Sequence, residues 1–370
     1  MIYYDHNNKK IELVQPPMAQ GGEGIICHVK NQQGTVAKIY VVENTKIVRT
    51  VSGALRKKLE TMALHGDAVR QKLKNVTWPL EVLYNAQREC VGYIMSKVTS
   101  DTDLQPNGSV NKPDNIDRGY KGKTTNLLKI KIAKSLCLTI SKVHEHFCVF
   151  GDFNPKNVGV NLQTEDVCFF DVDTFQLTKP GFDDCRCVVQ FEGYVATELL
   201  RQINKFVRDN PKYKDKPLVH MPLQTWTKET DYFALGVHIF HLLMNGEHPY
   251  KGVIINPGKS TASPGTPNNS VEQDFYVFKS GKSLPPKSKI LPLDSFPPKI
   301  RELFNRTFTP DPKIRPTAKE WFNVLTQYEQ DLKHCSVDSL VISRLLGMIG
   351  IFALPDIDFS NACESIPYFL

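Results

Sequence analysis

Apolar and polar positions alternate on either side of Asn31 to Gly34 in the stretch MAQGGEGIICHVKNQQGTVAKIYVV, a period of two that predicts a β-hairpin. Lys38 falls inside its second strand, TVAKIY, where an unpaired charge would cost several kcal/mol and so needs an anionic partner. GALRKKLETMALHG follows, with Leu55, Leu59 and Met62 forming an apolar stripe at i, i+4, i+7, the period of a helix. WPLEVLYNAQRECVGYIMSKV reads as two strands and a turn, and Pro106 to Asn115 as a loop. LLKIKIAKSLCLTISKVHEH then carries a long helical pattern into VHEHFCVFGDFNPKNVGVNLQTEDVCFFDVDTFQ.

That last stretch, Val143 to Gln176, holds the chemistry. Short apolar runs (CVF, VGV, VCFF) flank Asp152, Asn157 and Asp171, placing each where a buried element opens into a loop. An Asp, an Asn five residues on and an Asp fourteen beyond can supply one base and two oxygen ligands for a hard cation such as Mg²⁺ or Mn²⁺. Gly22-Glu23-Gly24 can bring backbone N–H groups against phosphate, because no Cβ stands in the way.

Composition adds limits. With 41% hydrophobic and 23% charged residues in 370, the chain is long enough for a large core, as one two-lobed domain or two ordinary ones. The nine cysteines include no C-x-x-C pair and sit mostly in apolar runs, which argues for reduced thiols in a cytosol and against a zinc module. MIYYDHNNKK lacks the apolar run of a signal peptide, and the apolar stretch Leu340 to Leu354 is short of the roughly 20 residues that span a bilayer; a buried terminal helix is expected there. Ile255 to Ser270, rich in Pro, Gly and Ser, reads as a flexible surface insertion. The net charge of +7 is uneven. Arg118, Lys121, Lys123, Lys129, Lys131 and Lys134 come with no acid among them, so Lys121, Lys123, Lys131 and Lys134 are a candidate site for an inositol polyphosphate or an anionic lipid head group, against the alternative of a solvated helix face. Nucleic acid fits less well, since only Tyr120 is on hand to stack a base.

The order of these pieces resembles the protein kinase superfamily, particularly divergent bacterial-type or effector-type Ser/Thr kinases, over about Gln20 to Leu325. The resemblance implies a two-lobed α+β fold: a small β-rich lobe over 1–98, a large mainly helical lobe over 99–327, and a tail of unassigned role over 328–370. It implies ATP as cofactor with Mg²⁺ or Mn²⁺ and an unidentified protein substrate. Gly22, Gly24, Val29, Ala37, Lys38, Met95, Ser96 and Val98 would surround the nucleotide, with Met95 as gatekeeper and Ser96 to Val98 as hinge. Glu60 would pair with Lys38, Asp152 would be the base, and Asn157 and Asp171 would hold metal. Ala196-Thr197-Glu198 resembles the family's Ala-Pro-Glu, Asp231 and Gly236 keep its D-x4-G spacing, and Arg315 would ion-pair with Glu198.

The departures are Phe150-Gly151 before Asp152, Asp171-Val172-Asp173 in place of Asp-Phe-Gly, Cys27 for a third loop glycine and Asn154 for the usual lysine. With Gly at 151, no arginine is available to read a phosphate on Thr174 or Thr178, which implies activity without it. A small-molecule kinase, an AMP transferase and a nucleotide-binding pseudokinase remain as alternatives. The expected location is the cytoplasm, and a secreted effector working in a host cytosol is also compatible.

Overall fold

The structure is a computed structural model describing residues 1–43, 45–65, 69, 71–105, 115–178, 185–221, 226–254, 265–279, 283–284 and 291–332. The expected loop at 106–114, most of the insertion (255–264) and the chain beyond 332 lie outside the described residues. The end of the insertion that is described is helical, with Ser270 and Val271 buried.

Strands β1 (Ile2–Tyr4), β2 (Lys10–Glu12), β3 (Ala19–Gln20), β4 (Gly24–His28), β5 (Thr35–Tyr40), β6 (Pro79–Tyr84) and β7 (Cys90–Ser96) form one antiparallel sheet in the order β2-β1-β6-β7-β5-β4-β3. The predicted hairpin is β4–β5, and its turn uses Asn31 and Gly34 at positive φ. The sheet curls until its first and last parts meet: Leu13 bridges Val29, and Val14 N–H donates to the His28 carbonyl at 2.9 Å. One face therefore encloses a core of Tyr3, Leu13, Ile25, Cys27, Val29, Ala37, Ile39 and their neighbours. The other face carries Val36, Tyr40, Tyr93 and Met95 and packs on Leu59 of helix α1 (Gly53–Leu64). Side chains alternate across a strand, so Lys38 shares the α1 side with Val36 and Tyr40, opposite Tyr93 on β7.

After β7 the chain leaves the small lobe through Lys97, whose N–H donates to the Gly34 carbonyl at 2.9 Å. The large lobe contains β8 (Thr102–Asp103), α2 (Asn126–Glu145), β9 (Cys148–Val149), β10 (Val158–Val160), β11 (Val167–Phe169), β12 (Gln176–Leu177), α3 (Thr197–Asp209), α4 (Lys228–Leu243), α5 (Pro267–Glu272), α6 (Pro298–Thr307) and a last helix, α7, over 318–332. Helix α4 is apolar on nearly all sides and is correspondingly buried, its start fixed by a capping box of Thr227 and Thr230. Gly236 is required at the contact with α6, because a Cβ there would lie 2.2 Å from Thr307 Cγ2. Helix α7 runs through the expected boundary at 327/328, and the Tyr328 ring lies against Phe296 at 6.5 Å between centroids.

Arg315 ties the lobe together. Its buried guanidinium grips Glu198 through two bonds of 2.7 and 2.6 Å, donates to the Glu229 and Thr309 carbonyls, and lies over Phe233. Removing one member of a buried pair strands the other. Arg315→Ala is expected to cost about 3 kcal/mol of unfolding free energy in a denaturant titration. A cost below about 1 kcal/mol, the ceiling for exposed pairs, would sink this account.

Candidate active site

Three backbone features set the site. Residues 150 to 157 form a loop from β9 to β10, in which Gly151 takes φ +72°, and the Asp231 carboxylate holds the loop from below. It accepts the N–H groups of Phe150 at 2.7 Å and Gly151 at 2.9 Å, while His144 Nε2 lies 2.8 Å away. The β10–β11 hairpin then returns the chain so that Phe170 N–H donates to the Asn157 carbonyl at 2.9 Å. Asp171 follows at φ 51°, and a 3₁₀ turn over Val172–Thr174 swings Asp173 inward.

Asn157 Nδ2 donates to Asp152 Oδ2 at 2.9 Å and to the Asp152 carbonyl at 3.1 Å, which leaves the Asn157 amide oxygen as its remaining donor to a cation. Burial pushes the Asp152 carboxyl above the ordinary carboxylate range, against hydrogen bonds from Asn154 and Asn157 that pull it down. Lys38 Nζ lies 3.0 Å from Asp171 Oδ1 and 2.9 and 3.0 Å from the two oxygens of Asp173. Burial works against its charge, and the two carboxylates outweigh that and hold the ammonium above its usual pKa. The two acids differ in setting: the Asp171 side chain is 51% exposed, that of Asp173 only 8%. Asp173 also accepts from Tyr40 at 2.7 Å and Tyr93 at 3.2 Å. Burial raises its pKa, but Lys38 and the Tyr40 bond more than reverse this, so it stays below the ordinary range.

Several expected positions are occupied differently. Glu60 does not reach Lys38: it accepts from Arg56 Nε and Tyr84 OH, both at 2.8 Å. The α1 residue turned to the site is Lys58, buried, its Nζ donating to the carbonyls of Asp173 at 2.7 Å and Phe175 at 2.8 Å. Val29 and Ala37 point into the closed core of the small lobe, on the opposite face of the sheet from Lys38. Val36 and Met95 do share the Lys38 face, paired in register. Gly24 lies directly over Lys38, where a Cβ would come within 3.2 Å of its Cε. Gly22 is in the exposed turn between β3 and β4, and Ser96 and Val98 bracket the exit from β7. Lys156 lies over the Phe191 ring, 5.5 Å from its centroid.

The basic run does not gather into a polyanion site. Lys131 pairs with Glu165 at 2.6 Å and Lys134 with Glu329 at 2.7 Å, acids remote in sequence. Arg118 meets Glu247 at 3.5 Å, Lys129 donates to Asn245 Oδ1, and Lys121 lies over the Tyr120 ring.

Tyr40, Lys58 and Tyr93, which sequence reasoning did not single out, all bond Asp173, which the sequence showed only as a departure from Asp-Phe-Gly and which holds Lys38. Tyr40, two residues from Lys38 on one strand, was the available signal. Among the described residues no group of three or more His, Cys, Asp or Glu could hold a metal. A divalent cation fits Asp171 and the Asn157 oxygen if phosphate and water complete its shell, as hard cations allow.

The chain is protein-kinase-like, with a two-lobed α+β kinase fold. Its sequence is 29% identical over 342 residues to protein kinase YegI of Escherichia coli O157:H7, covering 89% of this chain and 47% of that protein. It is likewise 29% identical over 334 residues to protein kinase YegI of E. coli K12, covering 87% and 45%. The chain thus spans about half the length of these curated relatives. Among solved structures, the fold is shared with the Cydia pomonella granulovirus kinase PK-1 (TM-score 0.50, 14% identity, covering 84% of this chain and 92% of that one). It is also shared with a Toxoplasma gondii rhoptry antigen kinase domain (TM-score 0.53, 13% identity, 89% and 86%). No family model matches.

Proposed function

We propose that the chain is an ATP-dependent protein kinase that transfers the γ-phosphoryl group to a serine or threonine hydroxyl of a protein. The observation that carries this reading is the meeting of Lys38 and Asp171 at 3.0 Å beside the Asp152–Asn157 pair, which joins a phosphate-binding cation to a base and two metal ligands. The relatives' name as protein kinases supports it.

In this reading Lys38 binds the α- and β-phosphate oxygens beneath Gly24. Asp171 and the Asn157 oxygen hold Mg²⁺ or Mn²⁺, which neutralises charge on the phosphates. Asp152 accepts the proton of the acceptor hydroxyl, and Asn157 Nδ2 keeps its carboxylate aimed. Val36 and Met95 border the base of the nucleotide, with Ser96 to Val98 alongside. A reducing cytosol suits the buried thiols of the described cysteines.

One incubation with γ-labelled and α-labelled ATP, divalent metal and casein tests this. The expected result is transfer of the γ label alone to protein, lost in Lys38→Met. Transfer of the α label would mean AMP transfer, and label only on small molecules would mean a small-molecule kinase. ATP binding with no transfer would mean a pseudokinase, and each of these outcomes overturns the protein-kinase reading.

A further inference from the structure

The lysine of a nucleotide site is useful only if something aims it. An ammonium on a flexible four-carbon stem must be held by an anion that does not itself leave when phosphate arrives. Three carboxylates stand near enough to compare. Glu60 is committed to Arg56 and Tyr84 on the far flank of α1. Asp171 touches Lys38 but is half exposed and faces the cleft. Asp173 is enclosed, and its two oxygens accept four bonds, two from Lys38 and one each from Tyr40 and Tyr93, residues that project from the same sheet face. Its backbone is fixed as well, since the Asp173 carbonyl accepts from Lys58 of α1 at 2.7 Å.

We propose that Asp173 is the positioning residue that orients Lys38 toward the nucleotide phosphates, a role supplied from the 3₁₀ turn after β11 and not from helix α1. The inference rests on the kinase reading above and deepens it. When ATP enters, Lys38 exchanges the exposed Asp171 for phosphate oxygens and keeps the buried Asp173. Asp171 is thereby released to bind metal. Lys58 reinforces the arrangement: α1 presents a cation to the turn where an acid was expected, so helix, turn and sheet converge on one residue.

The test uses the full chain with MgATP and casein, measuring the ATP Kd by calorimetry, kcat/KM for ATP, KM for casein and the melting temperature. Asp173→Asn is nearly isosteric and is expected to lower kcat/KM for ATP by about 30- to 100-fold. KM for casein should stay within threefold of wild type. Glu60→Gln is expected to lower kcat/KM for ATP less than about threefold, as an exposed helix pair would. Should Asp173→Asn fail to fold, the double variant Tyr40→Phe, Tyr93→Phe removes two of the four bonds and keeps the rings. It is expected to lower kcat/KM for ATP at least about tenfold, the scale of losing even one of these two hydrogen bonds to a charged group.

Wild-type kinetics with an unaffected Asp173→Asn, or with an unaffected tyrosine pair where that variant does not fold, would overturn this inference alone. So would a Glu60→Gln loss equal to that of Asp173→Asn, or a casein KM that rises in parallel. A wild-type chain that binds no ATP would overturn the kinase reading, and this inference with it.

Discussion

Asp152→Ala is expected to bind MgATP within about threefold of wild type and to lose roughly 10²- to 10³-fold in turnover, the scale of a lost general base. The two effects separate because of where the carboxylate sits. Its side-chain partners, Asn157 Nδ2 at 2.9 Å and Asn154, belong to its own loop, whereas the cation that would meet phosphate is held by Asp171 and Asp173. Removing Asp152 therefore leaves Lys38 and its two carboxylates in place and takes away the proposed acceptor for the hydroxyl proton. Single-turnover transfer from γ-labelled ATP, with calorimetry for binding, is the check. Unchanged transfer would refute the assignment of the base.

Acidification is expected to destabilise the large lobe sharply. His238, His241 and His248 are buried around Tyr194, with ring centroids 5.0, 6.0 and 6.3 Å from it. Burial lowers the pKa of all three, His238 to about 3, His248 to about 4 and His241 well below its usual value. Both ring nitrogens of His241 lack a partner among the described residues. The folded state therefore refuses protons that the unfolded chain takes up below a pKa of about 6.5, so stability is intact above that pH and is lost as pH falls below it. At pH 5 each histidine costs ~2 kcal/mol, about 6 together. Asp117 acts in the opposite sense, because burial raises it to about 6 and the folded state binds its proton first. This returns only ~1.4 kcal/mol at pH 5, so these four groups together leave a loss of about 4 to 5. Denaturant midpoints at pH 7 and pH 5 measure it. The fall should be smaller by ~2 kcal/mol in His241→Leu, and an identical fall in that variant would rule His241 out as a contributor.

The fold was legible because its signals are local. The alternation in TVAKIY, the stripe of Leu55, Leu59 and Met62, and the spacing through Val143 to Gln176 each need only a short window. The errors came where a window says which positions are buried but not which flank meets the site. On α1, Lys58 and Glu60 lie about 100° to either side of Leu59, so periodicity ranks them equally and chemistry suggested the acid. Tertiary packing turned the lysine inward. On β5 a phase error of one residue sent Ala37 into the sheet's interior, where Val29, just past β4 and bridged to Leu13, also points. The basic run looked uncompensated because Glu165 and Glu329 lie 34 and 195 residues from the lysines they meet. Long-range neutralisation of this kind leaves no trace in local charge. Asp173 was visible only as a missing glycine; its role depends on two strands and a turn brought together from distant parts of the chain.

Gly151 also constrains which neighbouring sequences are within reach. Its φ of +72° disfavours any side chain, and a Cβ there would lie 2.6 Å from Cys187 Cβ and 2.7 Å from its Sγ. An arginine able to read a phosphorylated segment could not be installed at this position by one substitution. Cys187 would have to give way and the loop beneath Asp152 would have to relax in the same step. A designer seeking a phosphate-gated switch in this chain would therefore do better to build it elsewhere on the large lobe.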